Sequence, residues 1–412
     1  MSNIYAGIEL GTNSIKIVVA EKLGDSFNIL TSVSSKSEGI RNGEVVDIKK
    51  CVSSVRKALR KANDMLGIKI TKVIACIPPK DCTMDIAVGS IKLDSDEIIT
   101  GEDVSLVLKD ALVGRIGEEY ELVTAVPINF TIDDSESVKD PKGMKGEILE
   151  TKVVYSTVLK EPLYRILEVL KLSGLDTIDI AFTSTGDYFT IKNNDYDKEV
   201  GAIINIGEFS TNISVFNKGI QIKNSTIPIG SINVDKDISY IFKISSDESR
   251  NLKENFAVSM QSYADSNDVY EVKYNDNDTK EISQVGLSKV VEARVTEILK
   301  LAKKEIKNLT NREIRYIIIT GGLSELAGFQ YLVEEELGIN AKVCNISTMG
   351  IRHNKFSSVF GTIKYYDDKL CLRNIDSTMI SNSDMKEIVA NNDRTIGSDN
   401  IINKVFGHFF DN

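Results

Sequence analysis

The chain spells one loop twice: Gly7-Ile8-Glu9-Leu10-Gly11-Thr12-Asn13-Ser14-Ile15-Lys16-Ile17-Val18 near its start, and Ala202-Ile203-Ile204-Asn205-Ile206-Gly207-Glu208-Phe209-Ser210-Thr211-Asn212-Ile213-Ser214-Val215 much later. Each copy reads as an apolar strand, an acid or amide, a glycine, a short polar turn and a second apolar strand. Two such hairpins facing each other across a cleft would point their backbone N–H groups at the phosphates of one nucleotide. Glycine lets the backbone approach an anion and accepts φ > 0 in the turn. Thr12, Ser14, Ser210 and Thr211 offer short hydroxyl donors. Lys16 adds a full positive charge just past the first turn, and Glu9 faces the metal end, where a carboxylate holds Mg²⁺ through water. One loop alone would be an ordinary glycine-containing hairpin. Two matched loops, joined to the later Gly321-Gly322, predict a two-lobed α/β protein that binds a nucleotide.

Composition narrows the class. A chain of 412 residues suffices for two to four packed units. Hydrophobic residues at 42% and charged residues at 27% describe a globular mix. The net charge of −10 argues against a general nucleic-acid surface, so no nucleic-acid partner is expected. No stretch approaches the roughly 20 apolar residues that span a bilayer, and the N-terminus enters a strand without a basic-then-apolar leader. Cys51, Cys76, Cys82, Cys344 and Cys371 lack metal spacing and read as free thiols of a reducing compartment. His353 and His408 give no basis for a histidine triad or a zinc centre.

Along the chain, Asn42-Gly43 signals a tight turn between short strands. Asp47 stands where it would cap a helix reaching Leu66, with Cys51, Val55, Leu59 and Ala62 on its core face. The first lobe's core is assigned to 1–81 and 161–200. Residues 82–160 change character, with short alternating strands around a helix starting near Gly101. They also carry the rigid turn Lys139-Asp140-Pro141-Lys142-Gly143-Met144-Lys145-Gly146. This stretch reads as an inserted subdomain. Leu163 to Leu172 is a helix ending at Gly174. The second lobe's core is assigned to 201–245 and 313–372. Ile227-Pro228-Ile229-Gly230 closes its sheet, Ile317-Ile318-Ile319 is a buried strand, and Leu323 to Phe329 turns into a helix. Residues 246–312 form a helix-rich insertion. Its best helix runs from Leu287 to Ile306, with Val291, Val295, Ile298, Leu299 and Ala302 inward.

Residues 373–400 are rich in Asn, Ser and Asp and read as a flexible tether spanning about 30 Å. Then Ile401, Ile402, Val405, Phe406, Phe409 and Phe410 make one wide stripe on a helix of 401–412, with Asp399 at its N-cap. Such a helix is roughly 18 Å long, too short to cross a bilayer but suited to lie in its interface. Its polar face sets only Lys404 and His408 against Asp411, so apolar insertion must dominate over attraction to anionic lipid. Single copies would bind weakly, and many copies on a polymer firmly. The alternative is a helix docked on its own domain, against which the long polar tether argues.

These residues resemble the actin superfamily and, within it, the FtsA family of bacterial cell-division proteins. The two hairpins resemble the superfamily's phosphate motifs, and Ile319-Thr320-Gly321-Gly322-Leu323-Ser324 its adenosine motif. Gly39-Ile40-Arg41-Asn42-Gly43-Glu44-Val45-Val46-Asp47, Asp140-Pro141-Lys142-Gly143-Met144-Lys145-Gly146 with Leu149-Glu150, and Glu292-Ala293-Arg294 with Glu297-Ile298 are similar to segments specific to FtsA. The resemblance implies a two-lobed actin-like ATPase fold with an FtsA-type insert in the first lobe and a C-terminal amphipathic helix. It implies ATP and Mg²⁺ as ligands. Its ATP contacts would be Gly11, Thr12, Asn13, Ser14, Lys16, Gly207, Ser210, Thr211, Asn212, Gly321, Gly322, Leu323 and Ser324, with Lys253 on the adenine side and Glu254 toward the ribose. It implies self-assembly into protofilaments at the inner face of the cytoplasmic membrane at the division site. The expected partners are the C-terminal tail of FtsZ, docking on the second lobe's insertion, later division proteins, and lipid.

Departures from the family pattern fall on the chemistry. The family usually has Asp at positions 9 and 205, a glycine run at Glu208-Phe209, often Asp at 212, and commonly Glu at Arg250. Asn205 cannot take a proton as a carboxylate can. Glu208 sets a negative charge near phosphates unless it points away or meets a cation. The expectation is ATP binding with slow or absent hydrolysis and no confident catalytic residue. Two other readings share the fold: a small-molecule kinase or ATPase, which lacks a persuasive base here, and an adaptor of a pilus-type assembly, which lacks the terminal helix.

Overall fold

The computed structural model describes residues 3–93, 98–134, 137–275, 278–373 and 377–379. Strands β1 (Asn3–Leu10) and β2 (Ser14–Leu23) make the first hairpin, and β3 (Ser26–Lys36) continues it antiparallel. Asn42 and Gly43, with φ of 52° and 79°, join β4 (Ile40–Arg41) to β5 (Glu44–Val45). Both φ values are those a two-residue hairpin turn demands. Helix α1 (Ile48–Leu66) begins at Asp47, whose side chain accepts from the Lys50 N–H at 3.0 Å, and ends at Gly67 with φ 71°. Its apolar stripe is buried as the periodicity requires. Strand β6 (Lys72–Ile77) then runs parallel to β1.

The insert is a layer of its own. Strands β7 (Thr83–Lys92), β8 (Tyr120–Ile132) and β9 (Ile148–Leu159) pair antiparallel in the order β7-β9-β8. Helix α2 (Gly101–Leu112), held by a Thr100–Asp103 capping box, lies on them. The approach is so close that a Cβ on Gly89 would sit 2.4 Å from the Val107 carbonyl. Ile99, Val107, Phe130, Ile132 and Leu149 form a separate small core.

The chain returns through α3 (Lys160–Leu172) to β10 (Asp176–Phe182), parallel to β6, and then α4 (Thr183–Ile191). Gly174, with φ 86°, follows the terminal residue Ser173. The first sheet therefore reads β10-β6-β1-β2-β3.

The second half repeats it. Strands β11 (Val200–Ile206), β12 (Thr211–Asn217) and β13 (Ile220–Ile227) are antiparallel neighbours. Helices α5 (Ser231–Phe242) and α6 (Ser246–Asn255), a hairpin of β14 (Val269–Asn275) and β15 (Asp278–Ser283), and the long α7 (Gln284–Leu309) follow. Then come β16 (Tyr316–Thr320), α8 (Phe329–Leu337), β17 (Ala341–Val343) and α9 (Ser357–Arg373). The second sheet reads β13-β12-β11-β16-β17, with β16 parallel to β11 and β17 parallel to β16. Order and direction match the first sheet, so the duplicated loop belongs to a duplicated sheet.

Three elements differ from the sequence reading. The helix expected from Leu323 is a single 3-10 turn over Gly322–Glu325, and the α-helix starts at Phe329 after Gly328 in the left-handed region (φ 75°). Helix α9, assigned by sequence position to the second lobe, packs on the first. Its Val359, Phe360 and Ile363 share a core with Ile4 and Ile8 of β1. It crosses α4 where two glycines meet, and a Cβ on Gly361 would lie 1.6 Å from the Gly186 carbonyl oxygen. Finally, Ser377–Met379, read as tether, dock on β1. The Ile4 N–H donates to Thr378 Oγ1 at 3.0 Å, and the Met379 N–H donates to the Ile4 carbonyl at 2.9 Å. The rest of the tether from 380 on, residues 374–376 and the terminal stripe lie outside the described residues. Among the described residues no helix is long and apolar enough to cross a membrane.

Candidate functional site

The two turns are built alike. The Gly11 N–H donates to the Ser14 carbonyl at 3.1 Å, and the Gly207 N–H donates to the Ser210 carbonyl at 3.0 Å. A Cβ would come within 2.8 Å of the acceptor at Gly11 and 3.0 Å at Gly207. Two residues before the glycine in each copy, Glu9 stands opposite Lys16, and Asn205 opposite Asn212.

In the first copy the Lys16 ammonium donates to Glu9 Oε1 at 2.6 Å. Glu9 is only 9% exposed, and its Oε2 is buried with no protein partner among the described residues. A carboxylate oxygen left this way fits a metal-bound water. No cluster of three His, Cys, Asp or Glu able to hold an ion occurs among the described residues. A Mg²⁺ here would thus lean on Glu9 through water and on phosphate oxygens, the usual pattern for that ion. Thr12 Oγ1 accepts from the Gly43 N–H at 3.1 Å, fixing the turn against β4–β5. Ser14 is half-buried at the base of the turn.

The second copy is more occupied. Thr211 is fully buried and donates to the Ile229 carbonyl at 2.8 Å, and Asn212 Oδ1 accepts from Thr226 at 2.6 Å. Both side chains therefore serve the sheet, while Ser210 stays half-buried at the turn. Gly321, with φ 97°, lies against this turn, and a Cβ there would meet the Ile206 carbonyl at 2.3 Å. Gly322 borders open space, with nothing within 4 Å of an added Cβ. Leu323 is buried, and Ser324 donates to the Gly321 carbonyl at 2.8 Å and accepts from Asn354 at 2.9 Å.

Helix α6, capped by Ser245, sets Arg250 and Lys253 on one face. Lys253 is buried in an ion pair with Asp235 at 2.6 Å, and Glu254 is exposed. Arg250 meets Glu208 at 2.5 Å, reaches Asp235 at 3.4 Å, and donates across the gap to Asn13 Oδ1 at 3.4 Å. Glu208 thus has its cation. Burial still pushes its carboxyl up from the ordinary value, against the opposing pull of Arg250.

Asn205 is tied down by a residue without a motif. Its Nδ2 donates to Asp187 Oδ2 at 2.6 Å and to Ser358 at 3.3 Å. Ser357 and Ser358 donate to Asp187 Oδ1 at 2.5 and 2.8 Å. Burial raises the Asp187 carboxyl to about 6, these hydrogen bonds opposing and the Glu9 charge adding. With its NH₂ spent on Asp187, Asn205 keeps only Oδ1, beside Gly321, as an acceptor. That atom can orient a water but cannot take its proton. The sequence signal for Asp187 is faint: one acid in the uncharged run Ile180–Asn194 apart from Lys192.

A family model described as "Cell division protein FtsA" matches residues 202–361, and one described as "SHS2 domain inserted in FTSA" matches 81–157. The cell division protein FtsA of Enterococcus hirae is 31% identical over 369 residues, covering 88% of this chain and 83% of that protein. The FtsA of Bacillus subtilis is 28% identical over 368 residues, with the same two shares. Among solved structures, the PilM-PilN type IV pilus biogenesis complex gives a TM-score of 0.59 at 13% identity, over 87% of this chain and 98% of that one. MreB5 of Spiroplasma citri bound to ADP gives 0.55 at 11% identity, over 90% and 98%. Both likenesses establish an actin-like fold.

Proposed function

The chain belongs to the FtsA family of actin-like cell-division proteins, and on that premise we propose that it binds ATP with Mg²⁺ between its twin turns, polymerises, and ties FtsZ filaments to the inner face of the cytoplasmic membrane at the division site. One observation carries the nucleotide part: the same glycine turn, with the same N–H to carbonyl bond, ends the central hairpin of two sheets of identical order. The spare oxygen of Glu9 supports Mg²⁺. The MreB5 structures of like fold carry ADP and AMPPNP. In this reading Gly11–Lys16 and Gly207–Ser210 hold the phosphates and Gly321–Ser324 the adenosine side. Lys253 and Glu254 would lie toward the base and ribose. The lone Oδ1 of Asn205 makes hydrolysis slow or absent.

The FtsZ tail would dock on the insertion at 246–312, and filaments of this chain would recruit later division proteins. The stripe of Ile401, Ile402, Val405, Phe406, Phe409 and Phe410 would enter lipid, an assignment that rests on its spacing alone. Three assays test the whole: titration of the protein with a fluorescent ATP analogue, pelleting with liposomes with and without residues 401–412, and capture on an FtsZ tail peptide. Binding of the analogue that survives Lys16→Ala unchanged, equal pelleting of both forms, or no capture would overturn the respective part.

A further inference from the structure

We propose that Glu208, Arg250 and Asn13 form a latch across the cleft that a polyphosphate must displace, so that Arg250 sets the affinity for this ligand. The proposal rests on the nucleotide reading above. Glu208 belongs to the second turn, Asn13 to the first, and Arg250 to a helix inserted in the second lobe. One planar guanidinium spans them, with Nη2 on Glu208 at 2.5 Å, Nη1 on Asn13 at 3.4 Å and Nε on Asp235 at 3.4 Å. Its fork is the group best matched to phosphate oxygens, and it already touches both turns. The Glu208 carboxylate, 11% exposed, occupies that fork as an anion supplied by the chain itself.

The two partners must then act in opposite senses. Removing the Glu208 charge frees the guanidinium and deletes a like charge beside the phosphates. Removing Arg250 leaves a part-buried carboxylate uncompensated where an anionic ligand should enter. Loss of Arg250 breaks the bond to Asn13 and opens the latch while no ligand is present, whereas loss of the Glu208 charge leaves that bond in place.

The test uses the full chain, Mg²⁺ and a fluorescent ATP analogue, together with hydrogen exchange of residues 11–14 in nucleotide-free protein. Glu208→Gln should tighten binding about tenfold or more, and Arg250→Ala should weaken it by a similar factor. Arg250→Ala should also speed exchange at the first turn, and Glu208→Gln should leave it near wild type. Glu208→Gln keeps the side chain's shape, so it reports even if Arg250→Ala is unstable. A merely structural pair would weaken binding in both variants. That outcome, or no change in Glu208→Gln while Lys16→Ala still abolishes binding, overturns this inference alone. If neither the wild type nor any variant binds the analogue, the nucleotide reading falls and the affinity role with it. Unchanged exchange in Arg250→Ala removes the latch.

Discussion

A carboxyl group raised to about 6 and only 2% exposed makes stability depend on pH with a definite sign. Folded Asp187 holds its proton where the unfolded chain, near the ordinary value of 3.8, has released it. Stability is therefore lost as pH rises from about 4 to about 6 and is flat above. A shift of this size corresponds to up to about 3 kcal/mol. The stability difference between wild type and Asp187→Asn should fall by that order between pH 4 and pH 7 in denaturant unfolding. A difference independent of pH would contradict the assignment. The same residue governs position 205. Asn205→Asp would bring two carboxyls to hydrogen-bonding distance, where one stays protonated, so turnover should remain near wild type. The exchange of acid and amide, Asn205→Asp with Asp187→Asn, puts an ionised carboxylate at 205. It should raise phosphate release by about tenfold or more. The twin glycine turns were legible in the sequence because each sets a glycine and short polar residues between two apolar strands. Asp187 was not, since its meaning arises only when Ser357, Ser358 and Asn205 close around it. Glu208 and Arg250 read as two separate departures, and the fold makes them one compensated pair.

At the scale of elements, periodicity and caps carried far. Asp47 and the stripe of α1 appear where spacing put them, and Asp47→Ala should lower stability by about 1 kcal/mol through loss of the cap. The sequence does not announce the 3-10 turn after Gly321, because its residues fit a helix start equally well. The crossing of α4 and α9 is the most demanding contact. A methyl group at Gly361 meets the Gly186 carbonyl oxygen at 1.6 Å, so the helices must part. Gly361→Ala should lower stability by about 3 kcal/mol or more, seen as a clear drop in melting temperature. A melting temperature equal to wild type would show that the crossing yields without loss. No local pattern announces this contact, because Gly186 and Gly361 lie in different helices far apart in sequence.

At the scale of the molecule, the repeat visible in two loops extends to two sheets and accounts for most of the architecture. Its limit is α9, which follows the second sheet in sequence and joins the first core in space. Burial, not chain order, decides its lobe. The docked segment Ser377–Met379 gives a test by truncation. A chain ending at Met379 should keep the wild-type melting temperature and lose liposome pelleting. A chain ending at Arg373 should lose pelleting and also melt lower, since Met379 is buried and bonded to Ile4. Equal melting of the two would mean that the segment contributes nothing to β1. That small attachment also has a mechanical side. Traction applied beyond Met379 is passed through its bonds to Ile4 and Ala6, near the head of a strand that ends, roughly 20 Å away, at Leu10 beside Gly11. Load on this docked segment is thereby delivered along the backbone toward the first glycine turn.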